Sequence, residues 1–215
     1  KNWKPRLLLF AKCDALGEPN DAGCQLLAFA AQLRKGRGLL LVRSLLIGDI
    51  GARAPDVPPC RDTLQRRLEA SGCEGCADVV ISPMLSTGLL GSVQGAGLGE
   101  ALSPNTLLMS WPKIATWRRD PNHAREMQSA LFGWKALSKT ILFVKHPGEW
   151  RRTAATSNAT LDLWWVLHDR GHPLMIAYLL RRHPVWANCR LRIFALQPSG
   201  DQGEPLQNEL RQALN

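Results

Sequence analysis

"RLLLFAKCDALGEPNDAGCQLLAFAAQLRKGRGLLLVRSLLI" (6–47) is the stretch whose reading decides the fold. It opens on an apolar run, "RLLLFA" (6–11), with no polar alternation. A run of that kind reads as a strand buried on both faces. The loop "KCDALGEPNDAG" follows, and "CQLLAFAAQLRKG" (24–36) then repeats apolar residues at helical spacing. That segment stops at Gly36 with Arg34 and Lys35 in its last turn, where cations complement a helix carboxyl end. "LLLVRSLLI" (39–47) is a second continuous strand. Strand, amphipathic helix and strand, with buried strands, form the βαβ unit of a parallel sheet.

The same alternation runs outward from there. "PPCRDTLQRRLEASG" (58–72) begins with Pro, ends with Gly and carries an apolar stripe through Leu64 and Leu68. "ADVVIS" (77–82) is the third strand. A glycine-rich helical piece, "STGLLGSVQGAGLGE", leads to "NTLLMSW" (105–111). After "PKIATWRRDPN", residues 123–138 read as a helix and "TILFVK" (140–145) as a strand. A loop at 147–160, rich in Pro, Gly, Ser and Thr, separates residues 1–146 from residues 161–215. The second part reads as a strand (161–167), a helix (173–186), a strand (190–196) and a last helix (204–214). The expected fold is α/β: a doubly wound, mostly parallel sheet with helices on both faces. The second part either extends the first sheet or forms a partial second lobe.

Composition narrows the chemistry. The 215 residues are 45% hydrophobic and 21% charged, and 27 Lys and Arg against 18 Asp and Glu give a net charge of +9. Such a balance favours acidic partners. The basic residues come in scattered pairs such as Arg66–Arg67 and Arg181–Arg182, with no zinc-finger or RNA-recognition signature, so nucleic acid is not the expected partner. The longest apolar stretch is broken by Arg43, and none reaches the ~20 residues of a membrane span. Of the six cysteines only "CEGC" (73–76) has metal or redox spacing. It lacks the second pair that zinc needs, and it precedes its strand where a thioredoxin-type pair follows one. Free thiols in a reducing compartment, and no metal, are the expectation.

Ligands of a doubly wound sheet bind outside the carboxyl ends of its strands. Those ends read as Lys12–Asp14, Ser44, Ser82–Pro83, Ser110–Trp111, Lys145–His146 and His168–Asp169. No GxGxxG follows the first strand, and there is no Walker lysine or GxSxG elbow. His168 and Asp169 are sequence neighbours without a nucleophile, so an Asp and a Gly at a helix entry suffice to explain them, and no catalytic residue is assigned. Gly95, Gly97 and Gly99 read equally well as a loop needing positive φ or as a phosphate cradle. Trp164, Trp165, Trp186 and Phe194 read as core or interface anchors.

The segment "DLWWVLHDRGHPLMIAYLLRRHPVWANCRLRIFAL" (162–196) resembles the "WW…HDGG…VW…RIF" segment of the cation–chloride cotransporters, most closely their potassium–chloride branch. "NWKPRLLLF" (2–10), "LLAFAAQLRKGRGLLLVRSLLIGD" (26–49), "VVIS" (79–82), "GLGEALSPNTLLMSWP" (97–112) and Trp117 resemble the family in the same order. Two positions depart from its pattern: Arg170 stands for the first glycine of "HDGG", and Glu100 ends the "GLGG" loop. The resemblance implies a universal-stress-like, cytosolic regulatory and dimerising domain of an electroneutral symporter of K⁺ and Cl⁻. Its implied partners are the transmembrane domain of the same transporter, a second copy and ATP. No cofactor is required and no enzyme activity is implied. Carried onto this chain, the nucleotide pocket would involve Lys12, Asp14, Ser44, Gly97, Gly99 and Ser110. The rival reading is a free-standing stress-type nucleotide-binding protein, with Asp14 and Asp49 as its nearby carboxylates for Mg²⁺.

Overall fold

A computed structural model describes residues 5–12, 21–34, 40–97, 99–112, 114–145, 158–165 and 171–195. The chain divides into two compact units, residues 1–150 and 151–215.

In the first unit, β1 (Leu7–Phe10), β2 (Leu40–Ile47), β3 (Gly75–Ser82), β4 (Thr106–Ser110) and β5 (Thr140–Val144) form one parallel sheet in the order β3-β2-β1-β4-β5. The chain winds outward from β1 to β3, then crosses back to β4, so the order reverses between β1 and β4. This is the expected doubly wound α/β fold. The central strands are the most deeply enclosed: Leu8, Leu9, Leu107 and Leu108 are all 0% exposed. Helix α1 (Asp21–Arg34) packs on β1 and β4, and its Leu26, Leu27, Ala30 and Leu33 are buried. The short α2 (Ile50–Arg53) and a 3-10 turn (Ala54–Asp56) lead into α3 (Val57–Ala70), which packs on β3. Leu64 and Leu68, the stripe read from the sequence, are both fully buried.

The opposite face belongs to α4 (Leu85–Gln94) and α7 (Pro121–Ala136), which sandwich Leu8, Phe10, Leu107 and Met109 against Leu89, Val93, Met127 and Ala130. Trp134 is 0% exposed and stacks on Phe10 at 5.5 Å. A burial of this size is a large contribution: truncating such a Trp typically costs about 3–5 kcal/mol. Between α4 and β4 lies α5 (Gly99–Leu102), and between β4 and α7 lies α6 (Ile114–Arg119). Helix α7 starts earlier than the sequence pattern suggested. The side chain of Asp120 accepts from the N–H groups of Asn122 and His123, with Pro121 in the first turn. That is the N-cap and Pro combination that opens a helix.

Arg43 explains why an apolar strand tolerates a cation at its centre. Its Nε pairs with Asp78 at 3.1 Å, while Nη1 and Nη2 donate to the carbonyls of Ser92 and Gly95. Those carbonyls close α4, where a positive group satisfies orphan acceptors and complements the helix dipole.

In the second unit β6 (Thr160–Trp165) and β7 (Arg190–Ala195) pair in parallel through the crossover α8 (His172–Arg181). Leu161, Leu163, Leu191 and Ile193 alternate with Thr160, Asp162, Trp164, Arg190 and Arg192, and the second set is exposed. Trp165 is buried, but Trp164 is 61% exposed and stacks on Phe194 at 4.7 Å, so only one of this pair is a core residue. Helix α8 ends at Arg181, short of the expected Trp186, and turns occupy 182–188. Pro184 accounts for this, because the residue before a proline is pushed out of helical φ/ψ. The last expected helix, 204–214, lies outside the described residues, as do His168, Asp169 and Asp14.

Candidate functional site

The register of the large sheet decides which of the expected site residues can meet. Phe10 stands opposite Arg43, and the Ala11 N–H donates to the Arg43 carbonyl at 2.9 Å. Ala11 is therefore level with Ser44. Leu9 stands opposite Leu108, which puts Ala11 level with Ser110 and Lys12 level with Trp111. Ser44 and Ser110 thus stand level with Ala11 near the carboxyl ends of β1 and β4, the switch point where the strand order reverses. Lys12 is one residue further on and alternates to the other face of the sheet. Ser44 is not a strand end, as the sequence reading had it. It lies three residues before the end of β2, and reaches this level because β2 runs past β1.

Ser44 is 1% exposed, and its hydroxyl has no partner among the described residues. An unmet buried hydroxyl costs about 1–3 kcal/mol, and because Ser92 on α4 is unmet in the same way, Ser44 by itself marks no ligand position. Ser110 is half-buried and Lys12 is exposed.

Gly97 and Gly99 are elsewhere. The loop follows α4, which has returned the chain to the amino ends of the strands, and it leads into β4. A Cβ on Gly97 would lie 2.5 Å from the Leu102 carbonyl, and the adjacent Ser103 carbonyl accepts from Arg6 Nε just before β1. Gly97 and Gly99 have φ of +86° and +69°. Both suit left-handed backbone, and Gly97 in addition allows the close approach of the Leu102 carbonyl. They stand at the opposite end of the sheet from Lys12 and Ser110, so the structure does not bring the two groups together.

Two further features bear on anion binding at the carboxyl ends. The first turn of α4 has no side-chain cap from Met84, and the Ser86 N–H donates instead to Glu126 of α7 at 3.0 Å. A carboxylate already meets that helix start. Asp49 caps α2 by accepting from the N–H groups of Gly51 and Ala52 at 2.9 and 3.2 Å, which commits the carboxylate named in the rival reading. The sequence reading did not find the Glu126 contact, which joins residues 40 apart and leaves no local signal.

Among the described residues no three His, Cys, Asp or Glu side chains group as a metal site, and no disulfide joins the described cysteines. Cys73 is buried and burial raises its thiol pKa, while Cys76 of the same pair is exposed. No helix among the described residues is long and apolar enough to cross a membrane.

The first unit is thus an α/β domain with its switch point at Lys12 and Ser110. The chain is similar to a universal stress protein whose crystal structure is in complex with cAMP. The two are 14% identical, the match covers 66% of this chain and 98% of that one, and the TM-score is 0.41. At that overlap the fold rests on strand order and register, and the cAMP belongs to that protein alone. Residues 149–215, less than a third of the chain, match the family model described as Solute carrier family 12. This supports the likeness to cation–chloride cotransporters for the second unit.

Proposed function

We propose that this chain is a cytosolic regulatory and dimerisation domain of an electroneutral potassium–chloride cotransporter. The observation that carries this reading is the match of residues 149–215 to Solute carrier family 12, the region holding the Trp164–Trp165 and Arg192–Phe194 elements. Its partners are the transmembrane domain of the same transporter and a second copy of itself, on the cytoplasmic side of the membrane. It is a binding domain and not an enzyme. It acts by contacting one conformation of the transporter better than another, which is the requirement for any regulatory coupling. ATP is the proposed modulator, held at Lys12, Ser44 and Ser110. The exposed Lys12 and the half-buried Ser110, both at the switch point between β1 and β4, support a ligand there.

The reading frame upstream of Lys1 gives the quickest test: about twelve apolar segments of ~20 residues support it, and an initiator Met immediately before Lys1 contradicts it. In the intact transporter, Lys12→Ala is expected to change ATP-dependent, chloride-coupled K⁺ flux several-fold, within the range of typical allosteric coupling. Flux that ignores ATP in both proteins would remove ATP from the mechanism.

A further inference from the structure

We propose that Trp111 and Lys145 make this edge selective for a nucleotide, with the base resting on Trp111 and the phosphates held by Lys12 and Lys145. The proposal rests on the ligand-sensing reading above and names the residues that would choose the ligand.

The register places the three side chains in a row. Lys12 continues β1 opposite Trp111, and Ser110 stands opposite Val144, so Trp111 is beside Lys145. The row crosses β1, β4 and β5, two strand spacings or about 10 Å. A single nucleotide with its phosphates has that reach, while a nucleic-acid strand would need further aromatic platforms along the edge. All three side chains are exposed, and Trp111 is 46% so. Tryptophan is rarely left that open in a core-facing position.

Trp111 is also held in place. Its backbone N–H donates to the Val144 carbonyl at 2.8 Å, and its ring meets Phe143 edge-on at 5.4 Å and 78°. An edge contact fixes the ring plane and leaves a face for stacking. Among the described residues, neither Lys12 nor Lys145 is in a recorded ion pair. At the β2 and β3 end of the same edge the exposed side chains include the apolar Ile47, Ile50 and Met84 and the carboxylate of Asp49, none of which suits a phosphate. The cations and the one platform therefore fall together, next to the switch point. The α4 start, where Glu126 already meets the Ser86 N–H, is the poorer place for a phosphate.

The test is calorimetric titration of the whole chain with ATP, inorganic tripolyphosphate and adenosine, in the native protein and in Trp111→Ala, Trp111→Phe and Lys145→Ala, each first checked for native circular dichroism. The native protein should bind ATP about tenfold or more tighter than tripolyphosphate, the scale of one base–aromatic stack. Trp111→Ala should bring ATP to the tripolyphosphate level, and Trp111→Phe should keep most of the preference. Lys145→Ala should weaken both polyanions alike, by about 3- to 10-fold. An unchanged ATP preference in Trp111→Ala, or equal binding of the two by the native protein, overturns the assignment while leaving ATP sensing intact. No ATP binding to the native protein at millimolar concentration overturns ATP sensing itself, and this proposal with it.

Discussion

Strands β1 and β6 are both members of parallel sheets, yet they meet different surroundings. Leu7 to Phe10 are all buried, whereas Thr160 to Trp165 alternate between exposed and partly covered until Trp165. In the first unit α1 and α3 cover one face and α4 and α7 the other. In the second unit α8 covers one face, and the described residues leave the other to Trp164, Phe194, Arg192 and Asp162. Parallel sheets are stable when both faces are enclosed. The comparison assigns most of the fold's stability to the first unit and leaves the second with a surface suited to contact.

The largest expected effect follows from exchanging equivalent mutations. Trp134→Ala should lower stability by about 3–5 kcal/mol in urea unfolding, because it empties a closed core. Trp164→Ala should change it by less than about 1 kcal/mol, the usual range for a surface site. Similar losses at the two positions would mean that Trp164 is covered in solution. Arg43→Met comes next. It leaves the Ser92 and Gly95 carbonyls without their donor and should cost about 1–3 kcal/mol, with faster amide exchange at the end of α4. Exchange there that is unchanged would remove the clamp role.

A smaller effect separates the charges. Hydrogen bonds from Arg192 lower the Asp162 pKa despite its exposure, and burial opposes them. A carboxylate with a depressed folded pKa adds stability above its unfolded value, ~3.9, and that stability is lost as pH falls through the folded value. Acid titration of the Asp162 carboxyl by ¹³C NMR should give a midpoint below that reference, and Arg192→Met should return it toward the reference. A midpoint indifferent to Arg192 would dissolve the pair. The smallest effect concerns the thiols. Burial raises the folded Cys73 pKa, so its contribution to stability holds below the unfolded thiol value, ~8.5, and is lost as pH rises above it. Iodoacetamide should label Cys76 well before Cys73 at neutral pH, and equal rates would contradict the burial.

Much of the first unit was legible from residues 6–47, because continuous apolar runs and a 3.6-residue stripe are strong patterns. The short α2 and α6 were not, since four to six residues carry too little periodicity. A reading that starts α7 at residue 123 misses its first turn, although Asp120–Pro121 is an N-cap and Pro pair that opens a helix. The position of Gly97 and Gly99 was also available: a loop that follows a helix and precedes a strand belongs to the amino ends of a parallel sheet. The glycine spacing drew attention to phosphate chemistry instead. "TLDLWW" alternates up to Leu163, which signals a half-covered strand, although it reads as one apolar run. Ser44 reads from the sequence as a strand end, but its level with Ala11, and the Glu126 contact, were beyond sequence reasoning, because strand overrun and a contact across 40 residues exist only in three dimensions.

The decisive experiment is ATP titration of the ¹⁵N-labelled chain followed by amide NMR. Shifts are expected at Lys12, Ser44, Ser110 and Trp111, with Gly97 and Gly99 unmoved. Saturable shifts centred on Gly97 and Gly99, or none at the carboxyl ends of β1 and β4, would contradict a ligand-sensing site at the switch point.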